Sequence, residues 1–179
     1  MARKRTKPGK IRLTEVAKLA GVSPLSDVSP AGVDVREPGL AASADGEKAV
    51  AIWQGLADAE APSIQIATSS DGGWNWGAEK TISVSGTNNF SPRIASSADG
   101  STLAAAWTFE SSGINRTRVS TSTDSGETWS APVDISAAVG IAEFPEVRVS
   151  ADGGTILVAW FWNNGSGVSL RASKSTDDG

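Results

Sequence analysis

The sequence predicts an all-β protein: a partial β-propeller of about three four-stranded antiparallel sheets, with a short helix and a basic arm at its N-terminus. The prediction depends on features that recur every 53 or 54 residues. A motif S-x-D-x-G has its aspartates at Asp71, Asp124 and Asp177. A motif S-A-D-G begins at Ser43, Ser97 and Ser150, and a continuously apolar segment ends at Trp53, Trp107 and Trp160. A fixed period of this size indicates tandem supersecondary units.

Each period reads as four short strands separated by turns. In the first period we predict strands over residues 38–43, 48–54, 63–68 and 76–83, and Asp45-Gly46 between the first two is a strong hairpin signal. The three sheets are predicted at about residues 38–83, 92–136 and 145–179, the last one truncated. They form one repeat region, residues 25–179, which is distinct from residues 1–24.

The second strand of each period is the most informative. Residues 49–53, 103–107 and 156–160 are apolar at every position instead of at alternate positions. A strand of this kind is covered on both faces. Small antiparallel sheets that pack face to face in series meet this requirement, and the β-propeller is the architecture built in that way.

Composition excludes several kinds of chemistry. The 179 residues include no cysteine, histidine or tyrosine, so imidazole bases and thiol or phenol nucleophiles are excluded, and carboxylates, lysines and hydroxyls remain. We expect no metal site and no cofactor. No apolar run approaches the length of a membrane-spanning helix, and no membrane association is predicted.

Residues 1–24 differ from the rest of the chain in charge. They contain seven basic residues and one acidic residue, whereas the remaining residues contain 9 basic and 19 acidic ones. Residues 1–12 are predicted to be a polar arm. Thr14 as an N-cap and Gly21 as a C-cap predict a short helix over residues 14–20. The charges of Glu15 and Lys18 argue against a signal peptide here.

Residues 12–23 resemble the first helix of the helix-turn-helix domain of lactose-repressor-type transcription factors. In that family a recognition helix follows at once, whereas here the segment after Pro24 is turn-rich. DNA binding through the N-terminal helix stays an alternative, but a nucleic-acid partner is disfavoured against a solvated basic tail.

The S-x-D-x-G motif predicts a tight turn between the third and fourth strands. The aspartate side chain is expected to accept hydrogen bonds from backbone N–H groups two and three residues on, as in an Asx-turn. The glycine supplies a conformation that a Cβ would hinder, and the tryptophan begins the next strand and lies over the turn. A catalytic role is disfavoured, because equivalent positions in three units cannot converge on one substrate.

The same residues resemble the Asp-box, or bacterial neuraminidase repeat, of sialidases and other glycan-processing propellers, over about residues 26–179. The first copy has Asn75 in place of threonine, and the third is cut short. The residues of the motif are Ser69, Asp71, Gly73 and Trp76 in the first copy, Ser122, Asp124, Gly126, Thr128 and Trp129 in the second, and Ser175, Asp177 and Gly179 in the third. The resemblance implies a glycan-associated, extracellular bacterial protein, although no signal peptide is seen.

The resemblance does not extend to the catalytic residues. Sialidases use a tyrosine paired with a glutamate as nucleophile, an aspartate as acid/base and three arginines for the substrate carboxylate, and this chain has no tyrosine. Residues 90–94 echo the F-R-I-P motif of the family, but Ser91-Pro92 separates Phe90 from Arg93. We therefore expect a non-catalytic or fragmentary module. The alternative is part of an exo-sialidase or other glycoside hydrolase whose catalytic residues lie outside this chain.

A ligand-binding surface is expected at the starts of the first strands, near the axis of the propeller. Alignment of the periods brings five charged residues there: Arg36, Glu37, Arg93, Glu143 and Glu146. Ordinary loop charge is the alternative for each of them. Trp74 and Trp162 are candidates for sugar stacking or for edge packing. A closed ring of six sheets needs about 320 residues at this period, so ring closure calls for self-association or further sheets.

Overall fold

The computed structural model describes residues 27–31, 34–56, 61–137 and 139–176. These residues form three antiparallel sheets whose strands pair in chain order. The first sheet contains β1 (Asp34–Ala42), β2 (Ala49–Leu56), β3 (Ser63–Ser69) and β4 (Lys80–Thr81). The second contains β5 (Asn88–Ser96), β6 (Leu103–Ser111), β7 (Ile114–Ser122) and β8 (Val133–Asp134). The third contains β9 (Ile141–Val149), β10 (Ile156–Asn163) and β11 (Val168–Ser175).

The predicted all-β class and partial propeller are confirmed. The predicted helix over residues 14–20 and the helix-turn-helix resemblance lie outside the described residues, as do Asp177 and Gly179. Within the part of the chain that the structure describes, no helix is long and apolar enough to cross a membrane.

Two strand boundaries differ from the prediction. The first strand of each sheet begins earlier than expected, because it continues through a β-bulge that shifts its register, for example between Arg36 and Gly39. The fourth strand is shorter, because the chain after each motif tryptophan first contacts its neighbour through one backbone bond. Gly77 donates to the Thr68 carbonyl at 2.8 Å, and Ser130 donates to Thr121 at 2.8 Å. Regular pairing starts only at Lys80 and Val133.

The core lies between the sheets, as the apolar second strands predicted. Side chains of successive β6 residues point to opposite faces. Leu103, Ala105, Trp107 and Phe109 of β6 belong to the cluster shared with the first sheet. Ala104 and Ala106 belong to the cluster shared with the third sheet. Both faces of β6 are therefore buried, and the middle sheet is enclosed by its two neighbours.

The three period tryptophans are all buried. Trp107 and Trp160 each lie in the cluster between their own sheet and the preceding one. Trp53 lies on the opposite face of β2 from Val50 and Ile52, which pack on the second sheet. It therefore faces away from the second sheet, towards a cavity lined also by Val28 and Leu40.

The S-A-D-G hairpins join the sheets at one end. Within each hairpin the serine hydroxyl donates to the aspartate, as from Ser97 to Asp99 at 2.6 Å. Between hairpins the alanine N–H groups donate onward: Ala44 to the Ala98 carbonyl at 2.7 Å, and Ala98 to the Ala151 carbonyl at 3.0 Å. These turns therefore form a ladder along the row of sheets.

Candidate functional site

The S-x-D-x-G turns are closed by their own serine and aspartate. In the first turn the Gly73 N–H donates to Ser69 Oγ at 2.9 Å, and Ser69 Oγ donates to Asp71 Oδ1 at 2.8 Å. The Asn75 N–H donates to Asp71 Oδ1 at 2.9 Å. The second turn repeats this arrangement with Ser122, Asp124, Gly126 and Thr128.

The aspartate accepts its main hydrogen bond from the backbone of the fourth following residue, and not from the second as expected. The backbone of the third, Trp74 or Glu127, makes a smaller contribution that lowers the aspartate pKa. The two residues after each aspartate have left-handed backbone, with φ of 71° and 84° at Gly72 and Gly73 and 61° and 88° at Ser125 and Gly126. Two such residues in succession widen the turn, so that the N–H of the fourth residue returns to the carboxylate. Ser125 shows that the first of these positions does not require glycine.

These bonds hold the aspartates in their charged form. The side-chain and backbone hydrogen bonds from Thr128, followed by that from Ser122, lower the pKa of Asp124 to about 2. Bonds from the backbone and side chain of Asn75, and then from Ser69, lower the pKa of Asp71. A carboxylate whose acceptor positions are used in this way fastens a turn and is poorly suited to donate a proton.

The motif tryptophan and glycine pack together, as expected. A Cβ on Gly126 would lie 3.8 Å from Trp129 Nε1 and 2.7 Å from Thr68 Cγ2 of the first sheet. Trp129 also packs against the core between the first two sheets. Of the third copy, Ser175 ends β11, and the aspartate and glycine are not described.

The axial rim, which we define as Arg36, Glu37, Arg93, Glu143 and Glu146, lies at the bulges of β1, β5 and β9. At each bulge a residue before proline has left-handed backbone: φ is 51° at Glu37, 53° at Ser91 and 52° at Phe144. Bulges of this kind redirect side chains and are frequent beside binding sites. The repeat therefore places one strained residue per sheet at the same end of the first strands, β1, β5 and β9.

The structure brings some of the rim residues together. Arg93 Nε lies 3.1 Å from Glu146 Oε1, which joins β5 to β9, and Arg148 lies 3.3 Å from Glu146 Oε2. Glu37 accepts the Ser91 N–H at 2.5 Å, which joins β1 to β5. The two ion pairs of Glu146, with Arg93 and with Arg148, are largely exposed. Exposed ion pairs are weak, so these side chains can exchange partners with a ligand.

Two rim residues bind elsewhere. Arg36 pairs with Asp34 on its own strand at 3.3 Å. Glu143 accepts a hydrogen bond from the Asn115 side chain at 2.5 Å. Sequence alignment of the periods could place these residues on the rim but could not supply their partners, since Asp34 and Asn115 belong to no recurring motif.

An aromatic pair beside the rim was missed from the sequence. Phe144 is half exposed and meets Phe161 edge to face, with ring centroids 6.5 Å apart. The signal was available, because Phe144 precedes Pro145 as Glu37 precedes Pro38. Trp74 is exposed, whereas the Arg171 guanidinium covers the Trp162 ring at 3.4 Å. The Trp162 indole N–H donates to the Val139 carbonyl at 3.1 Å, so Trp162 serves packing.

A separate cleft of about 360 Å³ lies between the first and second sheets, away from the rim. Its wall includes Lys48, Asp71 and Trp76. Lys48 Nζ donates to Ser125 Oγ at 3.1 Å, and Asp71 closes its own turn. Lys48 and Asp71 are therefore engaged in structural contacts. Among the described residues no group of three potential metal ligands occurs.

Comparison with known proteins identifies relatives in fold only. The sequence matches no family model and no curated protein. A protein of unknown function from Dyadobacter fermentans matches at 14% identity and a TM-score of 0.58, over 82% of this chain and 39% of that one. The Trypanosoma rangeli sialidase, in complex with the inhibitor DANA, matches at 14% and 0.57, over 82% of this chain and 30% of the sialidase.

A family 117 glycoside hydrolase from Zobellia galactanivorans matches at 15% identity and a TM-score of 0.54, over 82% of this chain and 53% of that one. The chain thus spans between 30% and 53% of the length of these three structures. Sequence identities this low leave the activity of the chain open. The TM-scores establish a shared architecture. Together with the stacked sheets, they identify the described residues as part of a β-propeller.

Proposed function

We propose that the chain is a non-catalytic, glycan-associated propeller module that binds a saccharide at its axial rim. The observation behind the proposal is the cluster of Arg93, Glu146 and Arg148, with Phe144 on the same strand as Glu146. Charged side chains can exchange their ion pairs for hydrogen bonds to sugar hydroxyls, and an exposed aromatic ring offers a flat apolar surface to the C–H face of a sugar.

The charge of the cluster favours an acidic sugar. Arg93 and Arg148 flank the single carboxylate of Glu146, so the three side chains together have a net positive charge. An incoming carboxylate would gain two guanidinium partners in bidentate geometry. We therefore expect a sialylated oligosaccharide to bind more tightly than its neutral counterpart.

Two further points support a role with glycans. The S-x-D-x-G turns resemble the Asp-box of sialidases and related propellers. Of the three structures compared above, one is a sialidase and one a family 117 glycoside hydrolase. We carry over the class of ligand, and not the reaction, because the chain covers only 30% and 53% of those proteins.

The carboxylates of the described residues give little support to catalysis. Glycoside hydrolysis needs one carboxyl group as acid and a second as base or nucleophile. On the rim, Glu37 accepts a backbone N–H, Glu143 accepts from Asn115, and Glu146 is paired with two arginines. The alternative, a segment of a glycoside hydrolase completed by residues outside this chain, predicts that this chain alone is inactive as well.

Calorimetric titration with 3′-sialyllactose and with lactose tests the proposal. We expect saturable binding of the sialylated sugar, weaker binding of lactose, and at least a tenfold loss of affinity in Arg93→Ala and in Phe144→Ala. Lys174→Ala, which removes an exposed charge from β11, is the matched control and should bind as the wild type does.

Equal binding by wild type and Arg93→Ala would refute the rim as the site. No binding of either sugar by the wild type would refute the proposal for sialosides. A fluorogenic sialoside provides the test for catalysis: we expect no turnover, and hydrolysis by the purified chain would overturn the non-catalytic assignment.

A further inference from the structure

The third sheet has an apolar face that its counterparts bury. Leu157 of β10 is 47% exposed, whereas Val50, at the equivalent position of β2, is 2% exposed because the second sheet covers it. Phe161 and Leu170 are also exposed, and Ile64, the counterpart of Leu170, is fully buried. This face therefore has the composition of a sheet-to-sheet interface.

At the outer edge of the first two sheets, β4 and β8 with the two residues that follow them form the outer strand, and its last three residues, 81–83 and 134–136, share a set of contacts. Ile82 donates its N–H to the Ile64 carbonyl at 2.9 Å, and Ile135 donates to Thr117 at 3.0 Å. The next residue, a serine, accepts in return: Ser83 from the Ile64 N–H at 2.9 Å, and Ser136 from the Thr117 N–H at 3.0 Å.

The preceding residue adds a side-chain contact. Thr81 donates to Gln65 at 2.9 Å in the first sheet, and Asp134 forms an ion pair with Arg118 at 2.5 Å in the second. The outer strand is thus attached by three successive residues in each sheet.

The third sheet contains the residues that would bind such an outer strand. Leu170 and Arg171 are the counterparts of Thr117 and Arg118, since Phe161 and Trp160 pair with them as Thr108 and Trp107 pair with the earlier residues. Arg171 stacks on Trp162 at 3.4 Å, just as Arg118 stacks on Phe109 at 3.5 Å. Among the described residues, Arg118 has its acid in Asp134, and no carboxylate forms an ion pair with Arg171.

The residues equivalent to those of the outer strand lie at the other end of the repeat region. The period makes Asp27, Val28 and Ser29 the counterparts of Asp134, Ile135 and Ser136. Val28 lies with Ala51 and Trp53 on the open face of the first sheet, as Ile82 lies in the core between the first and second sheets. Residues 27–29 belong to none of the three described sheets.

We propose that Asp27, Val28 and Ser29 of one copy form the outer strand of the third sheet of a second copy, and that the reciprocal contact closes two chains into a ring of six sheets. Asp27 pairs with Arg171 of the second copy. The Val28 N–H donates to its Leu170 carbonyl, and its Leu170 N–H donates to Ser29 Oγ. The face that contains Trp53 covers its Leu157 and Phe161.

A second copy fits because the two open surfaces complement each other. Asp27 on one surface is opposite in charge to Arg171 on the other, both are exposed, and the contact continues the packing that the chain already uses twice. The hairpin ladder continues in the same sense, from the Ala151 N–H of one copy to the Ala44 carbonyl of the other. A head-to-tail contact of this kind gives a ring when the rotation closes, and six sheets lie within the range of known propellers.

Light scattering on the full chain measures the predicted mass directly. We expect a dimer, twice the chain mass of 18.3 kDa. Asp27→Arg and Arg171→Asp should each give monomers, and the double variant should restore the dimer because the ion pair is rebuilt with its charges reversed. Glu79→Arg, beside the outer strand of the first sheet, is the matched control and should stay dimeric. A monomeric wild type, or an open-ended polymer, would overturn the proposal.

Cysteine cross-linking tests the pairing itself, since the chain has no cysteine of its own. Directly opposed residues of antiparallel strands lie within disulfide range. An Asp27→Cys chain mixed with an Arg171→Cys chain under oxidation should give a cross-linked dimer on a non-reducing gel, and each chain alone should give little. A mixture that yields no more cross-linked dimer than either chain alone contradicts the exchange of residues 27–29.

Discussion

Substitution of three equivalent glycines can measure how much the packing between successive sheets contributes to stability. Gly46, Gly100 and Gly153 occupy the same position of the S-A-D-G hairpin, and their φ values are 75°, 70° and 80°. A Cβ on Gly46 would meet nothing within 4 Å. On Gly100 it would lie 2.9 Å from Lys48 Cδ and 3.2 Å from Ser43 Cβ of the preceding hairpin, and on Gly153 it would lie 2.5 Å from Thr102 Oγ1.

Replacement by alanine should therefore cost different amounts at the three positions. All three variants bear the cost of a left-handed alanine, about 1–2 kcal/mol. Gly100→Ala and Gly153→Ala add an overpacking cost of about 1–3 kcal/mol. Gly153→Ala should be the more severe, because the β-branched Thr102 cannot swing aside as the end of Lys48 can.

Thermal and urea unfolding of the three variants measures these differences. The comparison is best made in the Arg171→Asp background, so that a second copy cannot cover Gly46. At about 2–4 °C per kcal/mol for a chain of this size, Gly153→Ala should melt several degrees below Gly46→Ala. Equal destabilisation at all three positions would refute face-to-face packing of the hairpins.

Two further predictions concern the turns and the core. The hydrogen bonds lower the folded-state pKa of Asp124 from 3.8 to about 2 and lower those of Asp71 and Asp99; their stabilisation is present above pH 3.8 and is lost as the pH falls through the lowered values. Acid titration followed by circular dichroism should show unfolding in this window, and Asp124→Ala should weaken the dependence; an identical profile in the variant would contradict it. Trp107→Ala should lower the free energy of unfolding in urea by about 3–5 kcal/mol. It leaves a cavity in the core and removes the indole N–H that donates to Asn89 Oδ1 at 3.0 Å. A loss below about 1 kcal/mol would show that Trp107 is not packed between the sheets.

The period predicted the sheets because each unit must bury its second strand on both sides. Residues 103–107 are apolar at every position, and the structure divides them between the first and third sheets. Boundaries were less predictable. The start of β1 at Asp34 depends on a bulge, and the short β4 depends on how the chain leaves the turn at Trp76, and neither is encoded in hydrophobic alternation.

Alignment of the periods located the rim but not its pairs. It placed Arg93 and Glu146 at the same position of successive inner strands, and the structure joins them at 3.1 Å. It could not show that Arg36 pairs with Asp34 within one strand, because a side chain's choice between neighbours depends on the direction in which the bulge turns it. Phe144 occupies the position of Glu37 in its own period, and a comparison of charged residues alone does not select an aromatic residue there.

Amide hydrogen exchange at Ala44, Ala98 and Ala151, measured by NMR in the wild type and in Arg171→Asp, tests the stacking of successive sheets most directly. The structure predicts slow exchange at Ala44 and Ala98 in both proteins, since each N–H donates to the next hairpin. Ala151 should exchange rapidly in Arg171→Asp, and slowly in the wild type because a second copy covers it in the proposed dimer. Exchange at Ala44 and Ala98 as fast as that of Ala151 in the monomeric variant would contradict the stacked arrangement of the sheets.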